Sequence, residues 1–208
     1  LAIAYRRVGD LRNSLQEAQL AESLDQQDAD FPALLGRIHY GLKQNTQAIA
    51  AYERAIQYAP KNAALHSELG DIYWDQGNAV AAFGSFLEAS QLEPNNPLYT
   101  IRLTQLLLKA DMLDEAKVLA QEAVRLAPDL GAVHNLLGMV LFAAGDYRGA
   151  IKAQEEALRL EPTEAVYALN VAMGYLAIGQ KSKARQMGKR ALALDPANQE
   201  AKEFLQKV

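Results

Sequence analysis

Pro60, Pro94, Pro128, Pro162 and Pro196 stand 34 residues apart. A proline inside a helix removes a backbone hydrogen bond and clashes with the preceding turn, so each of these positions marks a break in helical structure. A break that returns at a fixed interval through a 208-residue chain means one structural unit copied end to end. Stacked units bury their core only against their neighbours. The period therefore constrains function as well as fold, because an array of equal units offers an extended surface in place of a single deep cleft.

Aligned on the prolines, the chain divides into five full units, 29–62, 63–96, 97–130, 131–164 and 165–198. Residues 1–28 read as a truncated unit and 199–208 as a solvating C-terminal helix that caps the stack. The eighth column holds Gly36, Gly70, Thr104, Gly138 and Ala172. The twentieth is alanine throughout (Ala48, Ala82, Ala116, Ala150, Ala184), and so is the twenty-seventh (Ala55, Ala89, Ala123, Ala157, Ala191). Small residues at fixed columns let two helices approach closely. The fifteenth column reads Lys43, Gly77, Asp111, Gly145 and Gly179, and a left-handed helix terminus favours glycine there. Between these marks the apolar spacing is helical. Over 150–160, Ala150, Ile151, Ala157, Leu158 and Leu160 leave Lys152, Glu155, Glu156 and Arg159 for solvent. Each unit is thus predicted to be two antiparallel helices. Pro97 at a first helical position and Pro32 within a first turn are compatible with this, since those amides lack helical partners.

These columns resemble the tetratricopeptide repeat (TPR). The unit 131–164 carries Leu137-Gly138, Gly145-Asp146-Tyr147, Ala150, Ala157 and Pro162. The unit 97–130 departs most, with Thr104 and Asp111 where glycine is usual, which puts its local helix spacing in question. The resemblance implies an all-α, right-handed superhelical solenoid of helix pairs running through 1–208, with first helices lining a concave groove and second helices forming the back. It also implies a non-catalytic module that binds a peptide or helix of a partner protein in that groove. Groove-facing positions in the family correspond here to Arg37, Tyr40, Ser67, Asp71, Trp74 and Asp75, then to Leu98, Ile101, Gln105, Leu108 and Lys109. Asn135, Met139 and Phe142 follow, and then Val166, Leu169, Met173 and Leu176. One TPR subfamily grips the C-terminal carboxylate of chaperone tails with Lys, Asn and Arg on three consecutive first helices. Arg102 and Asn170 hold suitable columns, but no three consecutive units supply the set, so acidic chaperone tails are not the expected ligand.

The first helices of the units 131–164 and 165–198 carry no charge. A helix apolar on nearly all sides is buried or covered. Either the array buries these residues internally, or a partner segment lies across Met139, Phe142, Met173 and Leu176, where the methionines would supply adaptable surface. Trp74, the single tryptophan, is either a groove anchor or a core residue between units.

The remaining chemistry is sparse. The net charge of −4 gives no nucleic-acid signal. With no cysteine there is no disulfide framework, thiolate nucleophile or Cys-ligated zinc. His66 and His134 share a column two units apart, too far for one metal, and with His39 they read as packing residues. Gly138, Gly145 and Gly149 lack the Gly-Lys-Ser/Thr of a phosphate loop. No catalytic pair, cofactor site or metal site is expected. The longest uncharged stretches, 130–145 and 165–180, are too short for a membrane span. The compartment stays open, with the cytoplasm preferred to the periplasm. Leu1 stands inside the apolar pattern, so a fragment of a longer protein is expected. Residues 180–208 hold seven basic and three acidic side chains, a net of +4 that leaves −8 for the remainder. That asymmetry either steers or stacks partners or is simply a solvated face. Three functions fit: a groove that holds a partner segment, a self-associating scaffold, or a recruitment domain of a larger enzyme.

Overall fold

A computed structural model describes residues 10–24 and 28–208. Much of the truncated unit expected over 1–28 therefore lies outside the described residues. Among the described residues all regular structure is α-helical. The chain forms two compact units, Leu1–Asn95 and Asn96–Val208. The first contains α1 (Leu11–Leu24), α2 (Asp30–Gly41), α3 (Asn45–Tyr58), α4 (Ala63–Asp75) and α5 (Ala79–Leu92). The second contains α6 (Pro97–Lys109), α7 (Leu113–Leu126), α8 (Gly131–Ala143), α9 (Tyr147–Leu160), α10 (Ala165–Ala177), α11 (Lys181–Leu194) and α12 (Gln199–Lys207).

Helix starts and stops follow from side chains at the repeat junctions. Asn62, Asn96 and Asn198 cap α4, α6 and α12 by accepting from the amides of Ala64, Leu98 and Ala201. Asn78 and Asp146 do the same for α5 and α9. The start of α8 has no cap of its own. Instead Glu161, at the end of α9, accepts from the Gly131 amide at 2.9 Å and from the Tyr167 hydroxyl at 3.1 Å. Histidines close two junctions: His66 Nε2 donates to the Pro60 carbonyl at 2.9 Å and His134 Nε2 to that of Pro128 at 2.7 Å. The packing role expected of this column thus includes a hydrogen bond to the repeating proline.

The first helices α2, α4, α6, α8 and α10 end alike. Residues 43, 77, 111, 145 and 179 all adopt positive φ, between 59° and 79°. The amides of these residues and of the residue after each bond back to the closing turn, as in Gly77 to the Trp74 carbonyl and Asn78 to that of Tyr73. Lys43 and Asp111 hold this conformation without being glycine, at φ of 61° and 59°. Helix spacing in the repeat 97–130 is consequently intact: α6 and α7 have 13 and 14 residues, the same lengths as α8 and α9.

The small columns form the helix–helix seams. All ten alanines of the twentieth and twenty-seventh columns are fully buried. The eighth column meets the twenty-fourth, and the two exchange volume. A Cβ on Gly36 would lie 2.6 Å from the Tyr52 ring, and one on Gly70 would lie 2.7 Å from the Phe86 ring. Where the eighth residue is the larger Thr104, the twenty-fourth is Ala120, and both have no exposed surface. Where it is Ala172, the twenty-fourth is Gly188. Thr104 also satisfies its own hydroxyl by donating to the Thr100 carbonyl at 2.8 Å.

Candidate interaction surface

The ninth and twelfth columns place one side chain each on successive first helices. In the first compact unit the ninth column gives Arg37 and Asp71, and the twelfth gives Tyr40 and Trp74, all half-buried. Arg37 makes a two-pronged ion pair with Glu68 on the next first helix (Nε to Oε2 2.9 Å, Nη2 to Oε1 2.8 Å). The Tyr52 hydroxyl donates to the same carboxylate at 2.8 Å. The hydrogen bond to Glu68 raises the Arg37 pKa, and burial followed by the Glu68 charge raises that of Tyr52. The Arg37 and Glu68 side chains are 36% and 33% exposed, and solvent screening holds such a pair to about 1 kcal/mol. Its consequence is a fixed, neutralised guanidinium: Arg37, expected to present a cation to a partner, is already occupied. The Tyr40 hydroxyl donates to Asp75, again from one first helix to the next. Lys43 Nζ lies 5.8 Å from the centre of the Tyr40 ring. Arg37, Tyr40, Tyr52, Glu68 and Asp71 line an open pocket of about 420 Å³. Ser67 is buried and contributes nothing to the open surface.

In the second compact unit the same columns change character. The ninth column becomes Gln105, Met139 and Met173, all exposed, with the methionines 43% and 38% accessible. The twelfth becomes Leu108, Phe142 and Leu176, all half-buried. Ile101 is half-buried, Lys109 is exposed, and Leu98 and Val166 are exposed at 46% and 50%. The bond between neighbouring first helices is here neutral: Asn170 Nδ2 donates to Asn135 Oδ1 at 2.7 Å, and Asn135 Nδ2 approaches the Met139 sulfur at 3.6 Å. Phe142 packs edge-on against Tyr147, with ring centres 5.1 Å apart, and against the core around Leu141 and Ala150.

Leu169 is turned inward. Expected in the groove, it is 3% exposed and packs with Tyr167, Ala168 and Ala201 in the core of the second unit. Its column belongs to the seam between helices at this point, because Asn135, one repeat before it, is half-buried and held by Asn170. The lack of charge on α8 and α10 is thus largely explained by internal burial: α10 buries Tyr167 through Ala172 and Gly174. Among the large side chains of these two helices the exposed remainder is narrow, comprising Met139, Val166 and Met173.

Glu68 joins this surface although sequence spacing does not place it there. It occupies the sixth column, which is otherwise Leu34, Arg102, Leu136 and Asn170. The column mixes leucine with arginine and asparagine, so its spacing alone does not mark the carboxylate as paired. Among the described residues no group of three or more His, Cys, Asp or Glu is placed to hold a metal, and no helix is long and apolar enough to cross a membrane.

Comparison with known proteins agrees with this geometry. Family profiles described as TPR repeat and tetratricopeptide repeat match residues 36–77 and 131–164. The TPR repeat-containing protein YpiA of Bacillus subtilis (strain 168) is 25% identical over 211 residues, covering 97% of this chain and 48% of that protein. The chain spans 7% to 48% of the length of the curated relatives it matches. In fold it is similar to PilW, a type IV pilus biogenesis factor (TM-score 0.82, 17% identity, covering 98% of this chain and 94% of that one). It is also similar to YrrB, a TPR protein with an unusual peptide-binding site (TM-score 0.72, 20% identity, 92% and 98%). The repeating prolines, the glycine-type turn at every fifteenth position, the alanine seams and these matches lead to one assignment: the chain is an all-α helical-repeat protein that carries tetratricopeptide repeats at residues 36–77 and 131–164.

Proposed function

We propose that the second compact unit holds an apolar segment of a partner protein, a peptide or a helix, across the first helices α8 and α10. The single observation that carries this reading is the exposure of Met139, Val166 and Met173 on two helices that have no charged residue. Exposed methionines adapt to varied apolar side chains. The Asn135–Asn170 bond beside them supplies amide groups that can turn to a partner backbone. A tetratricopeptide array is a protein-interaction scaffold, and YrrB, which shares the fold, has a peptide-binding site. Leu169 takes no part, and Phe142 contributes only its accessible edge.

The test is the double variant Met139→Glu with Met173→Glu. Both side chains are substantially exposed, so helicity and the thermal midpoint should stay near those of the parent. Capture of a partner quantified by mass spectrometry, and binding to an immobilised set of amphipathic peptides, should fall to background. Undiminished capture by the folded double variant would sink this assignment. Phe142→Glu is a poorer choice for the second substitution, because Phe142 packs on Tyr147 and the α8–α9 core.

A further inference from the structure

We infer that the outer face of α11 is a second docking surface, one that receives a short acidic protein segment carrying an apolar side chain. α11 presents Lys181, Lys183, Arg185, Lys189 and Arg190, all exposed, and contains no acidic residue. Its inner side is Ala184, Gly188 and Ala191. These let the helix sit close to its neighbours: a Cβ on Gly188 would fall 2.9 Å from the Phe204 ring of α12. Met187 and Leu192 pack beside them against the core, and the cations take up much of the remaining circumference.

The preceding second helices are charged differently. In α7 Glu122 pairs with Arg125 at 2.5 Å, and in α9 Glu156 pairs with Arg159 at 2.6 Å. The residue of α11 that corresponds to Glu122 and Glu156 is Arg190, and the position of the two arginines is Ala193. Among the described residues none of the five cations forms an ion pair. Arg190 Nη2 donates to the Pro162 carbonyl at 3.5 Å, and Lys183 Nζ lies 5.1 Å from the centre of the Tyr175 ring. Lys181 and Lys183 also sit in the first turn, where the helix dipole disfavours positive charge. The folded chain therefore carries a local repulsion that an acidic partner removes.

The kind of partner follows from the neighbouring relief. Between α9 and α11 lies an open pocket of about 350 Å³ lined by Leu158, Pro162 and Met187 together with Glu155, Arg159 and Arg190. An apolar side chain fits its floor while carboxylates meet Arg190 at its edge. The helix is about 21 Å long at 1.5 Å per residue. A longer polyanion such as duplex nucleic acid would run past it onto the rest of the second unit, where residues 96–179 hold seven basic and ten acidic side chains. A lipid surface needs exposed apolar residues among the cations, and the exposed arc of α11 offers only Leu194, at 36%. An extended segment of about six residues, about 20 Å long, avoids both conflicts, with attraction confined to about one screening length of 8 Å.

The probe is a fluorescent Glu/Asp-rich peptide with one central Leu, titrated into the whole chain and read by anisotropy. Binding should weaken by about tenfold or more when salt is raised from about 50 to 300 mM. Arg185→Gln, Lys189→Gln and Arg190→Gln together should lower the affinity by a similar factor, with an unchanged thermal midpoint. Arg190→Gln alone should give a smaller loss. The Met139→Glu, Met173→Glu variant should bind this peptide as the parent does, which separates the two surfaces. Equal binding by the triple variant overturns the proposal. So does tighter binding of a duplex DNA of matched charge, or of phosphatidylserine vesicles, than of the peptide.

Discussion

The two compact units use the same columns to opposite ends. In the first, the groove-facing Arg37 and Tyr40 are wired to the next first helix at Glu68 and Asp75, and Tyr52 of a second helix joins them at Glu68. In the second, the ninth column is methionine on α8 and α10, and the bond between first helices is a neutral amide pair, Asn170 to Asn135. The turns that close the first helices are the same in both. The period therefore specifies where a side chain points, and the residue at each column decides whether it holds neighbours together or stays open to a partner. The polar surface of the first unit is largely self-satisfied, whereas the methionine surface of the second is not.

The comparison breaks most visibly at the eighth column. Gly70→Leu in the first unit drives a side chain into the buried Phe86 ring and should cost about 3 kcal/mol. Ala120 shows how one repeat of the second unit makes room for a larger eighth residue, Thr104, and Gly70→Leu combined with Phe86→Ala should recover part of the loss. Denaturant midpoints at constant slope measure both. No recovery would mean that the two columns do not share one space.

A smaller effect separates the two kinds of bond between helices. Glu68→Ala leaves the buried Tyr52 hydroxyl and the half-buried Arg37 without their acceptor, and should cost about 2 kcal/mol. Asn170→Ala removes one neutral bond and should cost about 1 kcal/mol. Equal losses in chemical denaturation would erase the distinction between the units.

The smallest effect has the opposite sign. Lys43→Gly in the first unit and Asp111→Gly in the second relieve positive φ at a helix terminus. Each should stabilise by somewhat less than about 1 kcal/mol, because glycine also adds freedom to the unfolded chain. Thermal midpoints that fall in both variants would show that the lysine and aspartate make contacts that outweigh the strain.

The fold is legible in the sequence because its signals are periodic and local. Five prolines in phase, two all-alanine columns and a turn position rich in glycine each report the same unit. Thr104 and Asp111 look like defects in that pattern. They are not, because Ala120 makes room for the one and the closing hydrogen bonds hold the other left-handed. The surface is less legible. Family geometry assigns the column of Leu169 to the groove, while the packing of α10 against its neighbours turns that side chain inward. Glu68 escapes sequence reasoning because a lone carboxylate on a helix reads as solvated until its partner is found 31 residues before it.

By itself, then, the amino-acid sequence determined the repeat, the helical class, the seams of small residues and the uneven charge. These depend on spacing along one chain, which periodicity reports directly. Only the tertiary structure decided how each exposed residue is engaged. Whether Arg37 is a cation or half of an ion pair, whether Leu169 is surface or core, and whether the cations of α11 have partners all depend on side chains brought together from different repeats. That pairing is set by helix packing, and no local pattern encodes it.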